Sequence, residues 1–140
     1  MRKYILVLMI MTVVGGGLTV FLLFQPNLVV FINNETDEEI TDLTLTHEGI
    51  KSDITVPAIE PGEFESIDII PKEQTEDSFL GASLVLQYED DSGNVHEETV
   101  FEHFEIGSIG DAEVTITDKN EQGVFTIDVD EEVNKPELDD

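Results

Sequence analysis

The sequence contains no cysteine and no tryptophan, and positive charge is scarce: six Lys and Arg stand against 32 Asp and Glu, a formal net charge of −26. Without cysteine there is no disulfide, no thiol nucleophile, no thiolate metal site and no lipid anchor on an N-terminal Cys. Only three imidazoles exist, His47, His96 and His103, and none forms the two-His helical zinc motif. A domain this negative repels phosphate, which excludes nucleic acid as a partner. Phosphate-cradling glycine loops are missing, as is the Gly-x-Ser-x-Gly elbow: Ser83 has Gly81 before it but Val85 after it, and Ser108 has Gly110 after it but Ile106 before it.

What is present is divided unevenly along the chain. Residues 1–34 carry Arg2 and Lys3 and no acid. From Glu35 onward all 32 acids face four lysines, Lys51, Lys72, Lys119 and Lys135, a balance of −28. Between Lys3 and Gln25 runs YILVLMIMTVVGGGLTVFLLF, Tyr4 to Phe24, without a charge. As a helix rising about 1.5 Å per residue, this run spans roughly the 30 Å hydrocarbon core of a bilayer. A cleaved secretory signal is the competing reading, but its apolar core is normally about 7–15 residues and ends at a small-x-small site. Phe21-Leu22-Leu23-Phe24-Gln25-Pro26 offers no such site, so an uncleaved signal-anchor is expected. Arg2 and Lys3 on one flank place the N-terminus in the cytoplasm and the C-terminal domain outside the cell, in a single-pass cell-membrane protein. Gly15 and Thr19 form a small-xxx-small pair on which another membrane helix could pack.

The expected division is therefore 1–27 as cytoplasmic tip, transmembrane signal-anchor and short linker, 28–133 as one extracytoplasmic domain, and 134–140 as an acidic disordered tail. High charge alone would suggest disorder throughout. The apolar residues argue otherwise, because they fall in short blocks of period two: Leu28 to Ile32, Leu43 and Leu45, Ile54 and Val56, Ile67 and Ile69, Leu84 to Tyr88, Val114 and Ile116, Phe125 to Val129. Val95 to Phe104 is a longer block with an imperfect period. Alternation in β-branched and aromatic residues marks strands with one buried face. Asp91-Ser92-Gly93-Asn94 and Asp118 to Gly123 read as hairpin connections, and Glu60-Pro61-Gly62-Glu63 as a type II turn. No helical period of ten or more residues follows residue 30. The fold class predicted is all-β, a sandwich of seven or eight strands preceded by one transmembrane helix.

Leu28 to Ile70 contains VVFINNETDEEITDLTLT and then VPAIEPGEFESIDI. This segment resembles the opening of bacterial immunoglobulin-like modules of the CARDB type, in which a strand ending in Asn is followed by a Pro-x-(Leu/Ile)-x-Pro-Gly-Glu turn. Pro57, Ile59, Pro61, Gly62 and Glu63 match that turn. The layout is also similar to small, signal-anchored, uncharacterised Gram-positive proteins. The resemblance covers about a third of the chain and implies an exported, extracellular immunoglobulin-like sandwich with no catalytic residue.

Candidate chemistry is sparse. His96 and His103 could lie close together beside Glu97, Glu98 and Glu102, and surface histidines among carboxylates explain them equally well. Calcium suits clustered acids, yet Asp90 to Asn94 would need Glu where Phe101 stands, and a loop starting at Asp118 ends on Val129. Calcium therefore stays open without a supporting motif, metal ligands are unassigned, and no cofactor is expected. Asn34-Glu35-Thr36 fits the N-glycosylation pattern and reads as turn chemistry. Three readings of the acidity remain: a hydrated, salt-adapted surface with acids in every loop, a docking surface for a basic protein or cell-wall partner, or capture of divalent cations. The function expected is a non-enzymatic, membrane-anchored binding module that captures, or protects against, a basic protein. The alternative is an accessory subunit assembled through the transmembrane helix.

Overall fold

The computed structural model describes residues 27–75 and 79–134. The apolar run 4–24 and the tail after Asn134 lie outside the described residues. Among the described residues no helix is long and apolar enough to cross a membrane.

Eight strands follow one another: β1 (Leu28–Asn34), β2 (Thr44–Thr46), β3 (Ile54–Thr55), β4 (Phe64–Ile69), β5 (Ala82–Glu89), β6 (Val95–Phe104), β7 (Ile109–Lys119) and β8 (Phe125–Asn134). A single helical turn, α1 (Pro71–Gln74), interrupts the series. The strands form two four-stranded sheets, ordered β4-β1-β7-β8 and β3-β2-β5-β6. All pairings are antiparallel except β1 with β7, which run parallel from Leu28 opposite Gly110 to Asn34 opposite Ile116. Parallel neighbours need a long crossover, and here that crossover is the whole of the second sheet together with β4.

The period-two blocks bury the faces they predict. Leu28, Val30 and Ile32 of β1 and Ala112, Val114 and Ile116 of β7 are buried from one sheet. Leu45 of β2, Leu84, Leu86 and Tyr88 of β5, and Phe101 and Phe104 of β6 are buried from the other, and all belong to one core cluster. The described part is thus all-β, two sheets of the sandwich kind around a shared apolar interior, where each fully buried large side chain contributes about 1.5–3 kcal/mol. The free edges β6 and β8 approach each other: the Glu131 carboxylate on β8 accepts the Glu102 backbone N–H of β6 at 3.2 and 3.3 Å.

Four local departures have physical causes. The imperfect period of β6 comes from register shifts against β5, where Leu84 faces Phe101 but its neighbour Val85 faces Thr99. The extra residue lets the consecutive side chains Val100 and Phe101 both point inward. Leu43 and Val56 are buried but lie just outside their short strands, joined by the Val56 N–H to the Leu43 carbonyl at 3.0 Å. The turn α1, too short to carry a period, starts on Pro71, whose fixed φ suits a first helical position. The Gln74 side chain accepts the Ile70 N–H at 2.8 Å. β8 continues to Asn134, because alternation of half-buried and exposed residues persists through Glu131 and Val133.

Candidate functional site

Strand directions divide the loops between two ends. The chain enters at Asn27, and the end holding it also carries residues 47–53, 70–75, 79–81 and 105–108. At the opposite end lie the connection 35–43, the turn 60–63, and the two hairpin turns 90–94 and 120–124. We refer to these as the entry end and the turn end.

The turn end is built by Asn and Asp side chains that accept loop N–H groups. Asn34, 1% exposed, donates its amide to the Glu38 and Ile59 carbonyls, both at 2.8 Å, and accepts from the Thr36 N–H and hydroxyl at 2.9 and 2.7 Å. A glycan on that nitrogen is incompatible with the fold, so the Asn34-Glu35-Thr36 pattern is turn chemistry. At 60–63 the Glu63 N–H reaches the Glu60 carbonyl at 3.0 Å with Gly62 at φ 77°, the type II geometry expected.

The two hairpin turns are copies of one design. The Oδ1 of Asp90 accepts the N–H groups of Ser92 and Asn94 at 2.9 and 3.0 Å. The Oδ1 of Asn120 likewise accepts those of Gln122 and Val124, both at 2.9 Å. Gly93 and Gly123 supply positive φ at matching positions, 82° and 81°. The turns are clamped together by the Asp91 N–H to the Gln122 carbonyl at 3.0 Å, and the Phe125 N–H meets the Tyr88 hydroxyl, also at 3.0 Å.

Acids crowd this end: Glu35, Asp37, Glu38, Glu39 and Asp42 in the first connection, Glu60 and Glu63 at the second, Glu89, Asp90 and Asp91 at the third, Asp118 and Glu121 at the fourth. Lys119 opposes them and is paired with Glu38 at 3.2 Å. The described entry-end loops carry Lys51 among their acids. Acids occur in the loops of both ends, as expected, and are densest at the turn end.

Not every carboxylate is free to act. The His96 ring contact to Asp90 Oδ2 at 2.9 Å, with donors from Asn94 and Ser92, holds the Asp90 carboxyl well below the usual carboxylate range. His96 also stacks on Tyr88, ring centroids 5.1 Å apart. Glu60 is shifted the other way, its pKa raised by a side-chain hydrogen bond and Coulomb repulsion from Glu39. Asp42 sits at φ 60°, a left-handed conformation Asp tolerates. Asp42, Tyr88 and Glu89 line both an open groove of about 520 Å³ and an adjoining hollow of about 170 Å³. Thr44, Gln87, Asp90 and Val95 complete the groove, and Val95 is 58% exposed at its rim. Such a surface offers oxygen acceptors and one apolar contact, which suit an ammonium or guanidinium group.

The histidines do not converge. His96 and His103 stand at opposite ends of β6, about 20 Å apart at the rise of a strand. His103 lies 3.6 Å from Glu105. Glu97 accepts an amide hydrogen from Gln87 at 2.6 Å. His47 is buried between Phe79 and Phe104, with Nδ1 2.9 Å from the Glu48 carbonyl oxygen. Among the described residues no three His, Asp or Glu side chains gather as a metal-holding group. The serines are structural: Ser83 donates to the Glu102 carbonyl at 2.6 Å, and Ser108 accepts the Glu105 N–H at 2.9 Å. Sequence reading missed the meeting of Glu39 with Glu60 and the sharing of one groove by Asp42, Glu89 and Asp90. The available signal was the reversal of direction at each strand, which brings alternate loops to the same end.

No protein-family model matches the chain, and a search of curated proteins finds no match.

Proposed function

We propose that the chain is a membrane-anchored, extracytoplasmic binding module without catalytic activity, whose turn end captures a basic protein. The observation that carries this reading is the acid gradient: carboxylates concentrate at the end farthest from Asn27, where an anchored domain would project them outward. Two features of that end favour a cationic partner. The Glu39–Glu60 contact holds like charges together, which a partner's ammonium or guanidinium group would relieve. The groove whose rim carries the Asp42 and Glu89 carboxylates has room for such a side chain beside Val95.

An immunoglobulin-like assignment of the sandwich is part of the proposal and rests on strand order. β1 beside β4, and β2 beside β5, which in turn lies beside β6, match the B–E and C–F–G neighbours of that fold, with β3 in the place of C′. β7 then occupies the position of strand A, parallel where A would be antiparallel. Pro57 to Glu63, the segment behind the CARDB resemblance, forms the turn entering β4.

Photo-cross-linkers at Ser92 and Glu121 on the turn end, at Thr99 on a sheet face and at Leu18 in the apolar run test the proposal in intact cells. Adducts from Ser92 and Glu121 that fade when salt rises to about 0.5 M are expected, because screening shortens the reach of charge to a few ångströms. Adducts confined to Leu18 would overturn capture and favour the accessory-subunit reading, which the Gly15–Thr19 pair supports.

A further inference from the structure

We infer that the entry end of the sandwich is itself a membrane-contacting surface, seated on the bilayer interface through Leu80, Ile106 and Ile109. This inference rests on the membrane anchorage proposed above and assigns a second surface to the domain. Five large apolar side chains are exposed on the described part: Phe64, Leu80, Val95, Ile106 and Ile109. Phe64 and Val95 belong to the turn end. The other three gather at the entry end.

Leu80 is 91% exposed and sits two residues before Ala82, which pairs with Phe104 at the end of β6. Ile106, 44% exposed, follows Phe104 in the turn between β6 and β7. Ile109, 42% exposed, opens β7, next to Gly110, which pairs with Leu28 and donates its N–H to the Asn27 carbonyl. The strand directions thus place all three at the end where the chain enters the domain.

What covers them follows from the chain that leads there. The apolar run ends at Phe24, and only Gln25, Pro26 and Asn27 separate it from Leu28. Three residues reach about 10 Å when fully extended, so an anchored domain must hold this end within the headgroup layer. Leu80, Ile106 and Ile109 would be wasted in water there, whereas branched aliphatic side chains partition into the headgroup–acyl boundary. Charge agrees with that orientation. Lys51 lies in a loop of this end, while the acid-crowded turn end points away from anionic lipid. Acids are present in the described loops here too, Glu48, Asp53, Glu73 and Glu105. The seat is therefore shallow, at headgroup depth.

The absence of cysteine makes the test direct. The full chain is reconstituted in vesicles of phosphatidylcholine and phosphatidylglycerol with one environment-sensitive fluorophore, placed on L80C, I106C or I109C, or on S92C as the control. The expected result is blue-shifted emission at the first three sites, at least twofold stronger quenching by lipids spin-labelled near the headgroup, and shielding from aqueous iodide. The Ser92 label should behave oppositely. Vesicle-bound chain whose Leu80, Ile106 and Ile109 labels match Ser92 overturns the seat and leaves anchorage standing. Shielding from iodide without quenching by lipid means a protein neighbour covers the patch, which also overturns it. Chain that fails to float with vesicles overturns the anchorage, and the seat falls with it.

Discussion

Asp90 shows how one side chain can be both conspicuous and unavailable. Its two oxygens serve Ser92, Asn94 and His96, so an acid that looked like a calcium ligand is a turn-former. Charge-assisted hydrogen bonds stabilise its ionised form and depress its pKa from the ordinary 3.8. A carboxyl with a depressed folded-state pKa adds stability that is complete above its unfolded value and is lost as pH falls through the folded one. Wild type is therefore expected to melt higher than D90N at pH 7, with the gap constant down to about pH 5 and closing below pH 4. Thermal unfolding of both chains across this range reads the difference, and a gap independent of pH would refute the assignment. Comparing the two chains is essential, because acidification also relieves repulsion among the remaining carboxylates, Glu39 and Glu60 included.

The paired hairpin turns give a test for elements. Gly93 and Gly123 occupy equivalent positions with nearly equal φ, but their surroundings differ. A methyl group on Gly93 meets nothing within 4 Å, whereas one on Gly123 would meet Asp91 at 2.6 Å from its Oδ1 and 3.0 Å from its backbone nitrogen. G93A should cost about 1 kcal/mol, the penalty of a left-handed backbone for an L-residue. G123A should cost about 3 kcal/mol, because the same strain is joined by separation of the two clamped turns. Urea unfolding of the two variants checks the ordering, and equal losses would mean that the clamp between the turns contributes nothing. The same pair of elements shows where sequence reading succeeds. Asp90-x-x-Gly and Asn120-x-x-Gly are local motifs, legible because every partner lies within four residues. Their mutual docking is not, since Asp91 and Gln122 are far apart in the chain.

For the whole molecule the dominant quantity is a net charge of −26. Like charges crowded at one end oppose the compact state, and salt screens them over a length of about 30 Å at 0.01 M and 3 Å at 1 M. The melting temperature should therefore rise as NaCl goes from about 0.01 to 0.5 M. With no three-ligand cluster among the described residues, calcium at matched ionic strength is expected to add nothing further. A calcium-specific rise, followed by differential scanning fluorimetry, would identify a cation site. An acidic, hydrated surface and an acidic docking surface share the salt response; they differ in the gradient, which a purely solubilising role has no need of.

Seven or eight short strands, an interior of alternating aliphatic residues and the separation of a basic, apolar leader from an acidic remainder were all written in the order of amino acids. Each depends on interactions within a few residues: the pleat that sends alternate side chains to one face, the turn geometry of Gly and Asn, and the absence of acids before Glu35. Folding in space settled what those local rules leave undetermined. The parallel alignment of β1 with β7, the extra residue that turns Val100 and Phe101 inward together, and the grouping of distant turns at one pole follow from how two twisted sheets close over a common core. Charge spaced along a line became charge gathered at a pole because antiparallel strands return every second connection to the same side.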